Sequence, residues 1–181
     1  MTPYRVMTVC TGNICRSPMA EIVLRDRFDA AGLGEAVEVD SSGVSDEEHG
    51  NPVDPRARAV LAEHGYPTGD GHSARQVTAA DVRGHDLVLA MTTRHARALR
   101  SLAPGDGDGA VVRMYRSFDP AADGLPEQRL DIADPWYGGP EDFEECLAEI
   151  EAAADGVVAF VRHRLGLPAS DAGPGTAVHP G

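Results

Sequence analysis

A short apolar run, Val6-Met7-Thr8-Val9, leads directly into Cys10-Thr11-Gly12-Asn13-Ile14-Cys15-Arg16-Ser17, and a helical pattern begins near Pro18. A strand that turns into a helix across one short loop is the repeating unit of a parallel α/β sheet. The loop itself is chemically specific. A thiol, five intervening residues and an arginine describe a cradle for a phosphate-like dianion with a nucleophile at its base. The thiolate is the reactive form of cysteine, and a helix N-terminus with a nearby cation favours it. Loop amides and the helix dipole attract an anion to the same place. Arg16 adds a planar fork that can grip two anion oxygens.

The neighbours of Cys10 suit this role. Gly12 lets the backbone approach a ligand closely, and Asn13 tolerates a left-handed conformation and can tie the loop to itself. Ser17 is expected to cap the helix, with Pro18 in its first turn. An ordinary strand–helix turn around a buried cysteine would leave the Gly-Asn pair, the arginine and the cap as coincidences.

Composition narrows the function classes. A chain of 181 residues that is 42% hydrophobic can bury the core of one domain. The formal net charge of −13 argues against a nucleic-acid binder, which needs a basic face. An anionic substrate must therefore be attracted locally, by the loop amides and Arg16, against the overall field. No stretch approaches a membrane span. Met1-Thr2-Pro3-Tyr4-Arg5 runs straight into the first strand without a leader-like apolar region, so a cytoplasmic location is expected. Cysteines at 10, 15 and 146 make no disulfide framework, which fits a reducing compartment. No Cys/His set has zinc-site spacing, and no metal or cofactor is expected. Every basic residue is Arg, a bias typical of a GC-rich bacterial genome.

Periodicity predicts a first strand over Tyr4–Val9, a helix from Ser17 to about Gly32 and a short strand over Ala36–Asp40. Ser41–Pro52 reads as polar loop. Asp54 should cap a second helix with Pro55 at its first position, ending at Gly65. Thr78 and Asp81 open a helical turn, and Asp86–Met91 suits a central parallel strand. Thr92 or Thr93 caps a helix to about Leu102. A Gly/Asp turn over Pro104–Gly109 and a fourth strand over Ala110–Met114 follow. Arg116–Gly139 reads as a long loop, and Pro140–Leu165 as a closing helix that Gly156 weakens or bends. Its core contacts would be Phe143, Leu147, Ile150, Val157, Phe160 and Val161, with Cys146 packing nearby. The expectation is a single α/β domain over residues 1–167 and a disordered tail over 168–181. It would hold a four-stranded parallel sheet with helices on both faces. Ligands of such sheets bind at the carboxyl ends of the strands, where the Cys10 loop lies.

A second constellation completes the chemistry. When a phosphoryl group moves to a thiolate, the departing oxygen needs a proton, and a placed general acid contributes roughly 10²–10⁴-fold. Asp134, in Asp131-Ile132-Ala133-Asp134-Pro135-Trp136-Tyr137, is the candidate. Pro135 stiffens the loop. Trp136 and Tyr137 can form an aromatic wall that admits a flat ring and excludes water.

Taken together, these segments resemble the low-molecular-weight protein tyrosine phosphatases. The string Val9-Cys10-Thr11-Gly12-Asn13-Ile14-Cys15-Arg16-Ser17-Pro18-Met19-Ala20-Glu21 is similar to that family's phosphate-binding loop. Further likeness lies in Ser41 and Gly43-Val44-Ser45, Gly50-Asn51-Pro52, Asp54-Pro55-Arg56, His72-Ser73-Ala74-Arg75-Gln76-Val77 and Asp134-Pro135-Trp136-Tyr137-Gly138. The resemblance spans roughly residues 4 to 165. It implies a cysteinyl-phosphate mechanism with Cys10 as nucleophile, Arg16 as clamp and Asp134 as acid and then base. Thr11, Gly12, Asn13, Ile14, Cys15, Ser17, Trp136 and Tyr137 would contact the substrate, a phosphotyrosine-containing protein. Asn13, Ser17, Ser41 and His72 would form the network supporting the loop, and Ser17 would also donate to the Cys10 thiolate. Cys15 would form a reversible disulfide with Cys10, a redox switch.

The chain departs from the family pattern at Glu47-Glu48-His49, where many relatives carry an aromatic wall residue; weaker binding of acidic phosphopeptides is expected. Thr92 replaces a common Asp. Three rival activities are weighed. Thioredoxin-coupled arsenate reductases need further cysteines downstream of the nucleophile, and none lies between Cys15 and Cys146. Protein-arginine phosphatases are associated with Thr in place of Ile14 and a smaller residue in the aromatic loop. A non-catalytic phosphotyrosine-binding module would be expected to lack Cys10, Arg16 or Asp134.

Overall fold

The computed structural model describes residues 1–104 and 111–170. Four strands form one parallel sheet: β1 (Tyr4–Cys10), β2 (Val37–Gly43), β3 (Leu87–Ala90) and β4 (Val111–Met114), in the order β2-β1-β3-β4. Five α-helices accompany them: α1 (Arg16–Ala30), α2 (Pro55–Glu63), α3 (Ala79–Gly84), α4 (Thr93–Leu102) and α5 (Pro140–Arg164). This is the expected α/β class.

Side-chain alternation along the strands sorts the core into two layers. Val6, Val37, Val39, Leu87 and Leu89 pack with Met19, Val23 and Phe28 of α1, Leu61 of α2 and Leu147, Ile150 and Val157 of α5. Met7, Val9, Val88 and Ala90 point the other way, onto Val82 of α3 and Ala96 and Leu99 of α4. Burial on both faces explains why β3 reads as an unbroken apolar run, Leu-Val-Leu-Ala, with no polar alternation. Helix α1 leaves β1 toward one face and α4 leaves β3 toward the other. The carboxyl ends of these two adjacent strands therefore frame a crevice, the usual ligand position in such sheets.

Several caps follow the sequence. Asp54 accepts from the Arg56 N–H with Pro55 at the first position of α2. Thr78 and Asp81 form a reciprocal capping box. Thr92, rather than Thr93, caps α4 by accepting from the His95 N–H at 3.3 Å.

Other expectations are corrected. Strand β2 does not stop at Asp40: Ser41, Ser42 and Gly43 continue it, opposite Thr8, Val9 and Cys10. Both serines are buried there, and their hydroxyls are satisfied by side chains, which apolarity patterns cannot foresee. The Arg116–Gly139 loop carries 3₁₀ turns at Tyr115–Phe118, Pro120–Ala122, Glu127–Arg129 and Pro135–Tyr137. Ser17 does not cap α1. The capping position is Cys15, without a side-chain bond, and Ser17 lies inside the first turn with Pro18. Gly156 does not interrupt α5, which runs unbroken from Pro140 to Arg164. The glycine is required by contact: a Cβ there would sit 2.1 Å from the Phe118 carbonyl oxygen. Phe160 is half-buried and not a full core residue. Cys146, by contrast, packs in the core as expected. Of the expected turn over Pro104–Gly109, residues 105–109 lie outside the described residues, as do Ala110 of the fourth strand and 171–181 of the tail.

Candidate active site

Cys10 ends β1 and is almost fully buried, as is Arg16 at the start of α1. Between them the chain reverses through Asn13, which adopts φ 61°, the left-handed region that Asn tolerates better than most residues. Asn13 is fully buried, and its side-chain amide and its main-chain carbonyl are both bonded. Its amide donates to Ser17 Oγ and Ser41 Oγ, both at 2.9 Å, and its Oδ1 accepts from the Arg75 N–H at 3.0 Å. His72 Nε2 donates to the Asn13 carbonyl at 2.7 Å. Ser41 in turn donates to buried Glu21, which is paired with Arg25 at 2.7 Å. The loop's strained residue is thus held from three sides.

That support leaves the loop amides unspent. Among the described residues, the backbone N–H groups of Gly12 to Ser17 find no acceptor. They stand at the start of a 15-residue helix, the geometry that collects anions.

Ser17 Oγ lies 3.0 Å from Cys10 Sγ, receives the Asn13 amide and reaches the Ser42 carbonyl at 3.2 Å. The hydroxyl has one proton. With a Cys10 thiol, the S–H can donate to Ser17, which donates onward to Ser42. With a thiolate, the Ser17 proton turns to sulfur.

Arg16 donates from Nη1 to the Ile132 carbonyl at 3.0 Å, and its Nη2 lies 3.3 Å from Asp134 Oδ2. Asp134 Oδ1 accepts from the Trp136 N–H at 3.1 Å, capping the Pro135–Tyr137 turn. The carboxyl is about a third exposed, at 34%, so Asp134 meets both Arg16 and solvent. Cys10, Thr11, Gly12, Ile14, Cys15, Arg16, Asp134, Trp136 and Tyr137 line one cleft of about 150 Å³, together with Glu47 and Glu48. Asn13, Ser17, Ser41 and His72 stand behind the loop. The aromatic wall is more open than expected. Trp136 and Tyr137 meet edge to face, with centroids 5.0 Å apart, and Tyr137 is 85% exposed.

All three cysteines are free. Burial, then the charges of Asp54 and Cys10, pushes the Cys15 thiol up and keeps it protonated. Burial also pushes Cys146 up to about 12. No group of three or more His, Cys, Asp or Glu side chains among the described residues is placed to hold a metal ion.

Sequence reasoning overlooked two side chains. Arg56 bonds Asp54 at 3.0 Å, donates to the Trp136 carbonyl at 3.0 Å and lies over the Phe143 ring, so it anchors the aromatic loop. His95, on α4, reaches across the crevice to Thr11 Oγ1 at 2.8 Å. The contacts that matter here, Arg56 to Trp136 and His95 to Thr11, join residues far apart in sequence and left no local signal.

Residues 5–165 match the family model described as low molecular weight phosphotyrosine protein phosphatase. The low molecular weight protein-tyrosine-phosphatase of Streptomyces coelicolor is 52% identical over 162 residues, covering 90% of this chain and 96% of that protein. Low molecular weight protein-tyrosine phosphatase A of Mycobacterium tuberculosis is 45% identical over 163 residues, 90% of this chain and 94% of that protein. Among solved structures, YfkJ from Bacillus subtilis superposes with a TM-score of 0.80 at 30% identity, covering 91% of this chain and 98% of that one.

Proposed function

The chain belongs to the low molecular weight phosphotyrosine protein phosphatase family, and we propose that it hydrolyses phosphotyrosine in proteins through a cysteinyl-phosphate, with Cys10, Arg16 and Asp134 in the reacting roles. The observation that carries this assignment is the alignment of three groups at one cleft. Cys10 Sγ lies 3.0 Å from the Ser17 hydroxyl, buried Arg16 sits at the same loop, and a carboxyl about a third exposed lies 3.3 Å from the guanidinium.

The phosphoryl dianion enters the ring of loop amides, and Arg16 takes two of its oxygens. Cys10 thiolate attacks phosphorus, and Asp134 gives its proton to the departing phenol oxygen. The free carboxylate of Asp134 then removes a proton from water, which attacks the cysteinyl-phosphate and releases inorganic phosphate and the thiolate. Ser17 supports the thiolate as nucleophile and as leaving group. Trp136 and Tyr137 flank the phenyl ring, and Ile14 lines the same cleft. Glu47 and Glu48 give the rim a negative charge that disfavours acidic phosphopeptides. A peroxide that converts Cys10 to a sulfenic acid sets up condensation with the Cys15 thiol, which forms the disulfide and releases water. A catalytic thiol of this kind needs a reducing compartment, which supports a cytoplasmic location. Among the described residues no helix is long and apolar enough to cross a membrane.

The test is steady-state turnover of phosphotyrosine, phosphoserine and phosphoarginine peptides without added metal, wild type beside Cys10→Ser. Phosphotyrosine turnover that vanishes in Cys10→Ser supports the assignment. A preference for phosphoarginine refutes the substrate class, and turnover that survives Cys10→Ser refutes the mechanism.

A further inference from the structure

We propose that the Thr11 hydroxyl is an additional donor to the bound phosphoryl group, and that His95 is the positioning residue that frees its proton for this purpose. The proposal rests on the phosphatase reading of the same cleft.

Thr11 directly follows Cys10 and lines the cleft. Its Oγ1 lies 2.8 Å from His95 Nε2 and 3.5 Å from Arg16 Nη2, so the hydroxyl stands between the clamp and the imidazole. Arg16 can only donate, so one lone pair of Oγ1 faces a donor already. The other contact depends on the tautomer of His95. The ring is 1% exposed, and its Nδ1 has no partner among the described residues.

If Nδ1 carried the hydrogen, a donor would be buried with nothing to receive it. Orphaned buried N–H groups are rarer than under-satisfied acceptors. The hydrogen therefore belongs on Nε2, which donates to Thr11. Both neighbours of Oγ1 are then donors, neither can accept the Thr11 proton, and the open direction is the cleft. Burial, then the charges of Arg16 and Arg94, lowers His95 to about 3, so the ring stays neutral wherever the enzyme works. Thr92 caps the helix at the His95 N–H and aims the ring back over the crevice between β1 and β3. His95 thus ties the two strand ends together at the anion site.

The experiment measures inorganic phosphate binding by calorimetry, which needs no turnover, alongside hydrolysis of an aryl phosphate. Thr11→Val should bind phosphate about 10-fold more weakly, the scale of one hydrogen bond to a charged group, while Thr11→Ser stays within about threefold of wild type. His95→Leu should weaken phosphate binding in the wild-type background and add nothing in the Thr11→Val background. Nitrogen-15 spectra of labelled histidine should show His95 as the Nε2–H tautomer. Wild-type affinity in Thr11→Val, an equal His95→Leu effect in both backgrounds, or an Nδ1–H ring each overturns the proposal. Retained binding in Thr11→Ser separates loss of the hydroxyl from a misfolded loop. Wild-type protein that binds phosphate but hydrolyses no aryl phosphate would instead overturn the phosphatase reading.

Discussion

Replacing Gly43 by alanine should distort the Cys10–Arg16 loop without touching the side chains of Cys10, Arg16 or Asp134. Gly43 is the last residue of β2 and pairs with Cys10. A Cβ built on it would lie 2.5 Å from the Thr11 carbonyl oxygen, 3.0 Å from the Asn13 nitrogen and 3.1 Å from the Gly12 carbonyl carbon. All three are backbone atoms of the anion loop, so no side chain can swing away. Gly43 itself cannot retreat easily. Its N–H donates to the Arg75 carbonyl at 2.9 Å and its carbonyl accepts from Val77 at 2.7 Å. The loop must give, by about 1 Å at Thr11 if ordinary contact distances are to be restored. Displacements of that size at a reacting centre cost about 100-fold in rate. The expected result is a fall in kcat/KM of about 100-fold on an aryl phosphate, with a matching loss of phosphate affinity. Overpacking of this kind costs about 1–3 kcal/mol of stability, or roughly 2–12 °C in Tm for a chain of this size. Gly139, where a Cβ meets nothing within 4 Å, is the control, and its alanine variant should stay near wild type in activity. Gly43→Ala protein with kcat/KM within threefold of wild type and an unchanged Tm would show that the loop is not held against β2 as described.

Two further predictions concern stability. Helix propensity says that Gly156→Ala should stabilise α5 by about 1 kcal/mol, but the 2.1 Å approach to the Phe118 carbonyl reverses the sign; thermal unfolding should show a lower Tm, and a rise would refute the contact. His85 is buried with Nδ1 2.6 Å from the Asp81 carbonyl and Nε2 2.8 Å from Asp40 Oδ1. Burial alone would lower its pKa, but the bond to Asp40, helped by Asp81, outweighs it and raises the value above 6.5. A raised folded-state pKa contributes stability that is fully present below the unfolded value and fades as pH rises through the folded one. The Tm difference between wild type and His85→Asn should accordingly be larger near about pH 5.5 than near about pH 9, and a difference that is equal or grows with pH refutes it.

Much of the site was legible because its chemistry is local. The Cys10-to-Arg16 spacing, the Asn13 turn and the Asp134-Pro135 pair each announce themselves within a few residues. The strands and caps were legible for the same reason: burial of β3 on two faces and the Thr78–Asp81 box leave marks in adjacent positions. Where the reading failed, the cause was a distant partner. Ser41 and Ser42 look like loop residues until Asn13 is seen to donate to Ser41, and Glu21 and Met7 to accept from the two hydroxyls. Ser17 looks like a cap until Cys10 and Ser42 claim its hydroxyl. Gly156 looks like a flaw in a helix until Phe118 is found against it.

The sequence by itself determined the α/β class and the thiol–arginine loop between a strand and a helix, since strand and helix periodicity and that loop are properties of neighbouring residues. Only the tertiary structure decided that Arg16 meets Asp134 across more than a hundred residues, that Arg56 braces the aromatic loop, and that His95 reaches Thr11. Those contacts exist because parallel strands bring their carboxyl ends together irrespective of sequence separation, and no local pattern records which side chains then meet.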